Sequence, residues 1–452
     1  MKISFINIIV IIIIIINLQI STIQCVKYPI TNIEKKNDQL IKRGDNKMIF
    51  AVTCVSNDTI YCGKIIKSFN TIGTLLSSVI LFKEPLLVNV TVEQDCMLGE
   101  IDCVEDINLI GNARPGSMVL LADEKGVERY YQQPLAKQFY TNLPEYDDVD
   151  IKVRFPIRSN YWFQGDPLPI YNSTQNLDFL QLALREIVRA LGFHSSWGTW
   201  FKDQTIIVPR PLCDDGNGEC SIKGRKVHKK WIGFREYIFD KYLMNLYTGE
   251  MLTDKTRDLN KFFETKNIKG RIRNLEKEFK TSTQYNIAKE MYELSTTNST
   301  IGFFSWNDID YKDILVLLTN ISPFNDDVNL KFVDDILYYN TSDFLMRYRL
   351  PFGEILQNEI INGGNYDNST NSTDSILYGS IGPKLMRVFE TIGYSTIDKP
   401  IADYKPTIPP PLPPFTESNS LGNSLYSLSS ITFYQICLLL ITVVYEIYLL
   451  KL

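Results

Sequence analysis

The stretch Leu177–Trp197, LDFLQLALREIVRALGFHSSW, decides how the rest of the chain is read. Leu177, Leu180, Leu184, Ile187, Val188 and Leu191 recur at the spacing of one helix face. Asp178, Gln181, Arg185 and Arg189 fall on a polar stripe, and Gly192 supplies a stop. The spacing predicts a helix over 177–193. Taken alone, its periodicity is that of an amphipathic helix on the protein surface.

Upstream, from Met48 to about Phe155, the pattern is strand-like: IFAVTCV, SSVILF, LLVNVTV and DIKVRF are separated by Gly, Asp and Pro turns. Downstream, Trp231–Leu246 is an amphipathic stretch, and 253–294 is charged and reads as surface helix. An apolar run, Ile314–Leu318, and the segment GPKLMRVFETIGY at 382–394 follow. The outline is α+β, with a strand-rich N-terminal part, a central helix and a mostly helical C-terminal part.

Both ends read as targeting signals. Residues 1–24 carry Lys2 and an apolar run from Ile8 to Ile16, the layout of a secretory signal peptide. Ile431–Leu450 is about as long as a membrane span with Glu446 as its one charge, and a small-residue stretch, Ser418–Ser430, precedes it. This fits a glycolipid-anchor signal over 418–452, with attachment at Ser418, Asn419, Gly422, Asn423 or Ser424; a plain membrane helix is the alternative. The Pro-dense 399–417, which includes KPIADYKPTIPPPLPP, reads as an extended stalk, leaving 25–398 as the ectodomain. The expected location is the extracellular face of the plasma membrane or the cell wall, with the C-terminal anchor in the membrane.

That compartment agrees with two further patterns. Eight Asn-x-Ser/Thr sequons, at Asn57, Asn89, Asn172, Asn298, Asn320, Asn340, Asn368 and Asn371, are candidate glycosylation sites. Cys54, Cys62, Cys96, Cys103, Cys213 and Cys220 are an even set and read as three disulfides in an oxidising environment. Cys213 and Cys220 bracket the turn-rich DDGNGE, which favours a local bridge between them.

Composition narrows the chemistry. With 47 Lys+Arg against 52 Asp+Glu the formal net charge is −5, which argues against nucleic acid as a partner. The chain has two histidines, His194 and His228, so a three-histidine zinc site is excluded. No G-x-S-x-G element is present, and the acidic pairs Asp326–Asp327 and Asp334–Asp335 read as exposed loop residues.

REIVRALGF nevertheless resembles the zinc-binding H-E-x-x-H helix of zincin metallopeptidases, in the form with a following small-Leu-Gly-Phe seen in leishmanolysin-like secreted proteins. VERYYQQPLAKQF at 127–139, NYWFQGD at 160–166, GFREYIFDKYL at 233–243, NTSDFLMRY at 340–348 and YGSIGPKLMRVFETIGYST at 378–396 are similar, in order, to a family of secreted fungal and protist proteins that carry this helix. The similarity covers most of residues 80–398.

The resemblance implies a zincin-like fold with Glu186 at the general-base position and Arg185 and Arg189 at the two histidine positions of the helix. It implies a methionine turn at Met346 and, within KFVDD, Phe332 at the third histidine position. Guanidinium has only donors and is always charged, so it does not ligate Zn²⁺. The expectation is a pseudo-metallopeptidase: a cell-surface glycoprotein with no cofactor, a binding or adhesion role, and a peptide terminus or an acidic glycan as candidate ligand. Within it, Arg185 and Arg189 either bind that ligand or pair with internal acids and fill the place of the metal. The alternative is an extracellular peptidase that takes zinc or works in another way.

Overall fold

β1 (Met48–Cys54) buries every second side chain, Met48, Phe50, Val52 and Cys54, the period of a strand covered on one face. β2 (Leu86–Glu93) repeats the pattern with Leu86, Val88, Val90 and Val92. Between them the chain departs from the strand reading: SSVILF is not a strand, because Ser77–Val79 closes the long helix α1 (Thr59–Val79). Cys62, Ile65, Phe69, Ile72, Leu76 and Val79 hold a helical period over its length, and Asp58 caps it by accepting from the Ile60 and Tyr61 amides at 2.9 Å. A helical period sustained for 21 residues outweighs the β-branched character of its last turn. Cys54 and Cys62 form a disulfide that ties the end of β1 to the first turn of α1.

The computed structural model describes residues 47–93, 111–158, 160–168, 176–214, 230–305, 314–350, 353–364, 378–402 and 405–409. All belong to the first of two compact units, Met1–Pro409; the second, Pro410–Leu452, lies outside the described residues. So do the expected signal peptide and anchor, Cys96, Cys103, Cys220, His228, Asn172, Asn368 and Asn371. Cys213 is disulfide-bonded. No helix among the described residues is long and apolar enough to cross a membrane.

β3 (Asn112–Pro115), the hairpin β4 (Met118–Ala122) and β5 (Glu128–Gln132), α2 (Gln133–Phe139) and β6 (Ile151–Pro156) come next. The main sheet has the order β1-β2-β6-β3, parallel except for β3. On its inner face Phe69 of α1 meets Phe155 of β6, and both meet Phe179, at ring separations of 5.2–6.2 Å. A short parallel pair, β7 (Tyr161–Trp162) and β8 (Leu177–Asp178), then leads into α3 (Phe179–Leu191).

α3 is the expected central helix, shorter by two residues at each end and not on the surface. It packs against α1, β3, β6 and a 3-10 turn at Phe344–Met346, and every residue except Arg189 is buried. Gln181 and Arg185, read as part of a polar surface stripe, are 4 and 5 % exposed, and Glu186 beside them is 3 % exposed. A polar stripe has the same spacing whether it faces water or buried partners.

The remainder consists of β9 (Arg210–Asp214), β10 (Lys230–Arg235), β11 (Leu243–Asn245), α4 (Leu252–Glu264), β12 (Ile268–Lys269), α5 (Ile272–Phe279), α6 (Gln284–Ser295), β13 (Ile301–Phe303), β14 (Leu315–Val316), α7 (Leu356–Asn362) and α8 (Pro383–Ile392). They include two three-stranded sheets, β12-β10-β9 and β11-β13-β14. The fold class is α+β. The charged 253–294 is helical as expected, in α4, α5 and α6. Trp231–Leu246 is instead strand, 3-10 turn (Ile238–Tyr242) and strand. Its carboxylate Asp240 draws the backbone into that turn, as described below.

Among the described residues, the sequon asparagines Asn57, Asn89, Asn298, Asn320 and Asn340 are all exposed. The described part of the Pro-rich segment is docked, not free: Thr407 exchanges two backbone hydrogen bonds with Ala122 at 2.8 Å, and the Tyr140 hydroxyl donates to the Pro406 carbonyl at 2.6 Å.

Candidate functional site

α3 is fixed at both ends. The Asp178 side chain accepts from the Gln181 amide at 3.1 Å and from Leu356 at 2.8 Å, capping the helix and holding α7 to it. Gly192 ends the helix at φ 137°, where a Cβ would stand 2.6 Å from Ile392 Cδ1. Opposite the helix, Val333 bridges Leu317 on one side and Arg347 on the other, and its amide donates to the Met346 carbonyl at 2.9 Å. Phe332 and the fully buried Met346 are thereby set against α3, although more than 140 residues of sequence separate them from it.

Arg185, Glu186, Arg189 and Phe332 meet at one place. The guanidinium carbons of Arg185 and Arg189 lie 5.0 and 5.2 Å from the centre of the Phe332 ring, within cation–π range. Tyr348 packs on the same ring at 5.4 Å. Arg189 Nη1 donates to Glu186 Oε2 at 3.0 Å, and Arg185 Nε is 3.7 Å from Glu186 Oε1. Arg185 Nη1 donates to the carbonyls of Arg347 and Tyr348 at 3.1 and 2.8 Å. Burial pushes the Arg185 pKa down to about 10, opposed by the Glu186 charge. The two arginines are thus engaged with the protein's own acceptors and with one aromatic ring, which is the internal-pairing arrangement. Arg185 Nε and Arg189 Nε are buried without a hydrogen-bond partner.

Zinc does not fit these residues. Two guanidiniums and a phenyl ring present no lone pair to a metal, and the one carboxylate among them already neutralises two cations.

Sequence reading missed Lys331 and Tyr348. Lys331, beside Phe332, is 8 % exposed, donates to the Asp326 carbonyl, and is pushed down to about 8 by burial, with the Arg189 charge adding to the shift. KFVDD contained the signal, since a lysine next to an inward-facing residue of a short bridge is held near the same site. His194 stacks on Tyr237 at 5.8 Å; burial, then Lys331 and Arg189, hold its pKa well below the ordinary value. It is a packed, neutral histidine at the helix end.

The acidic pairs are structural. Asp326 accepts from the Thr199 amide at 2.7 Å and, with Asp327, is exposed. Asp334 is 1 % exposed, contrary to the loop reading, because it caps the amides of Ile336 and Leu337 at 2.9 Å.

Asp240, fully buried, joins two of the motifs noted in the sequence. It accepts from Ser195 Oγ at 2.6 Å and from the amides of Ser196 and Tyr237 at 2.9 Å. Burial, then the Glu236 charge, pushes its carboxyl from 3.8 up to about 6. A carboxyl whose folded-state value is raised adds stability below pH 3.8 that is lost as pH climbs to about 6. In Asp240→Asn the amide oxygen keeps the two backbone donors, the NH₂ donates to Ser195, and no proton is lost. The stability difference between variant and parent is therefore expected to move by about 2 kcal/mol in favour of Asn between about pH 4 and pH 7. Urea titrations at the two pH values measure it; an unchanged difference would mean that Asp240 is not raised.

A family model described as SPBPB7E8-like matches residues 20–433. The chain belongs to the SPBPB7E8-like family. A relative in Schizosaccharomyces pombe, named "Uncharacterized protein PB7E8.01", is 25% identical over 394 residues. That match covers 81% of this chain and 65% of the relative, so the chain spans about two thirds of the relative's length. No solved structure matches.

Proposed function

We propose that this member of the SPBPB7E8-like family is a non-catalytic, metallopeptidase-like glycoprotein of the cell surface, exported by a signal peptide and held by a C-terminal anchor, with a binding or adhesion role. One observation carries the reading. Arg185, Arg189 and Phe332, which the resemblance aligns with three zinc-binding histidines, come together, both guanidiniums lying over the Phe332 ring. Glu186, aligned with the general base, is spent on their charge. A base must be free to take a proton from a bound water, and a carboxylate neutralising two guanidiniums, that of Arg185 buried, is not. The zincin-like form of the fold draws support from the same convergence and from the buried Met346, whose carbonyl accepts from the amide of Val333, next to Phe332. Exposure of Asn57, Asn89, Asn298, Asn320 and Asn340 supports the glycoprotein part.

The test uses the full-length protein purified from cells, assayed for bound metal and for cleavage of a mixed peptide library with and without chelator. The expected result is far less than one zinc per chain and no chelator-sensitive cleavage. Stoichiometric zinc together with chelator-sensitive cleavage would reverse the reading in favour of an extracellular peptidase.

A further inference from the structure

A cavity of about 490 Å³ opens between the C-terminal end of α2 and the docked Pro-rich segment, well within the size of small-ligand pockets. Among the described residues its cations are Lys83, Lys137 and Lys405, and its one lining carboxylate is Glu84. Lys137 is paired with Asp150 at 2.9 Å. Lys83 and Lys405 have no carboxylate partner among the described residues. Lys405 is held over the Tyr140 ring at 4.1 Å, which positions its ammonium. Lys47, outside the lining, donates to the Lys83 carbonyl at 3.0 Å.

The rim is built, not loose. Gln138, 8 % exposed, accepts from the Lys83 and Glu84 amides at 2.8 and 3.2 Å and donates to the Pro134 carbonyl at 3.0 Å. This locks residues 83–84 to α2. Phe139 and Ile401 add apolar wall, and Thr141 a hydroxyl.

We propose that this cavity binds a phosphate monoester carried on a sugar. The Lys83 and Lys405 ammoniums, without a carboxylate partner among the described residues, match a group of charge about −1.5 to −2 at neutral pH. An apolar wall beside hydroxyl and amide groups suits a sugar ring, which has C–H faces and hydroxyl edges. The choice of a glycan over other phosphate esters rests on the surface reading above. The cavity is consistent with that reading in its place, since Lys405 lies only a few residues before Pro409, where the chain continues towards the proposed anchor.

Isothermal titration of the full-length protein, purified in detergent, tests it with four probes: glucose 6-phosphate, glucose, inorganic phosphate, and phosphatidylcholine vesicles with and without phosphatidylinositol. Glucose 6-phosphate is expected to bind, glucose not to bind, and inorganic phosphate to bind roughly tenfold more weakly or worse. The paired substitution Lys83→Gln and Lys405→Gln, at exposed positions, is expected to weaken the sugar phosphate by at least roughly tenfold with an unchanged unfolding midpoint. Absence of sugar-phosphate binding overturns the proposal, as does binding that the variant leaves intact. Inorganic phosphate binding as tightly as the ester removes the sugar, and binding confined to phosphatidylinositol vesicles gives the site to a lipid headgroup; both overturn it. Surface labelling of intact cells reads out the surface reading separately: a chain found only inside the cell would defeat that reading while leaving a positive titration standing.

Discussion

Glu186→Gln is expected to destabilise the protein by about 3–5 kcal/mol, the cost of stripping the counter-charge from a buried ion pair. Glu186 is 3 % exposed and Arg185 5 %, so water does not replace the lost carboxylate. The substitution keeps the side-chain volume and one acceptor for Arg189, and therefore isolates the charge. Lys331 makes the loss heavier, because its ammonium and the Arg189 guanidinium already repel. A fall in the urea midpoint with an unchanged slope is the measurement. A catalytic carboxylate behaves oppositely: removing it costs activity and commonly leaves stability equal or higher. A Gln variant as stable as the parent would show that Glu186 is not the clamp between the arginines, and would sink the main support for an inactive site.

What the sequence discloses of this fold depends on how local the cause is. β1, β2, β6, α3 and the charged helices α4, α5 and α6 follow from period alone, because each buries one face against a neighbour. α1 was readable in the same way, from Cys62 to Val79, but its β-branched last turn reads as a strand when taken by itself. Trp231–Leu246 misleads for a different reason. Its apolar spacing is compatible with a helix, and only the buried Asp240, bonded to Ser195 and Ser196 of a distant segment, makes a 3-10 turn the better solution. At the candidate site, no periodicity links Phe332 to α3; that pairing came from resemblance. The carbonyls of Arg347 and Tyr348, which hold Arg185, carry no residue-type signal at all, since every residue has one.

The combined substitution Arg185→His, Arg189→His and Phe332→His is expected to create a zinc site where the parent has none. Positions 185 and 189 are four apart on one helix face, and both side chains already reach the ring at position 332, from 5.0 and 5.2 Å. Imidazoles are shorter than arginines, so three of them would stand back from that centre and leave room for an ion at about 2.0–2.1 Å from each nitrogen. Removing both guanidiniums also frees Glu186 from its ion pairs. The cost is the pair of backbone carbonyls that lose Arg185, so the apo variant is expected to be less stable than the parent. Zinc should restore it by about 4 kcal/mol when present at about a thousand times its dissociation constant, while the parent shows no zinc-dependent shift. The double variant Arg185→His and Arg189→His, retaining Phe332, is the decisive control. With two ligands it should hold zinc far more weakly than the triple; equal affinity would mean that position 332 does not supply the third ligand, and the alignment that places Phe332 there would be wrong.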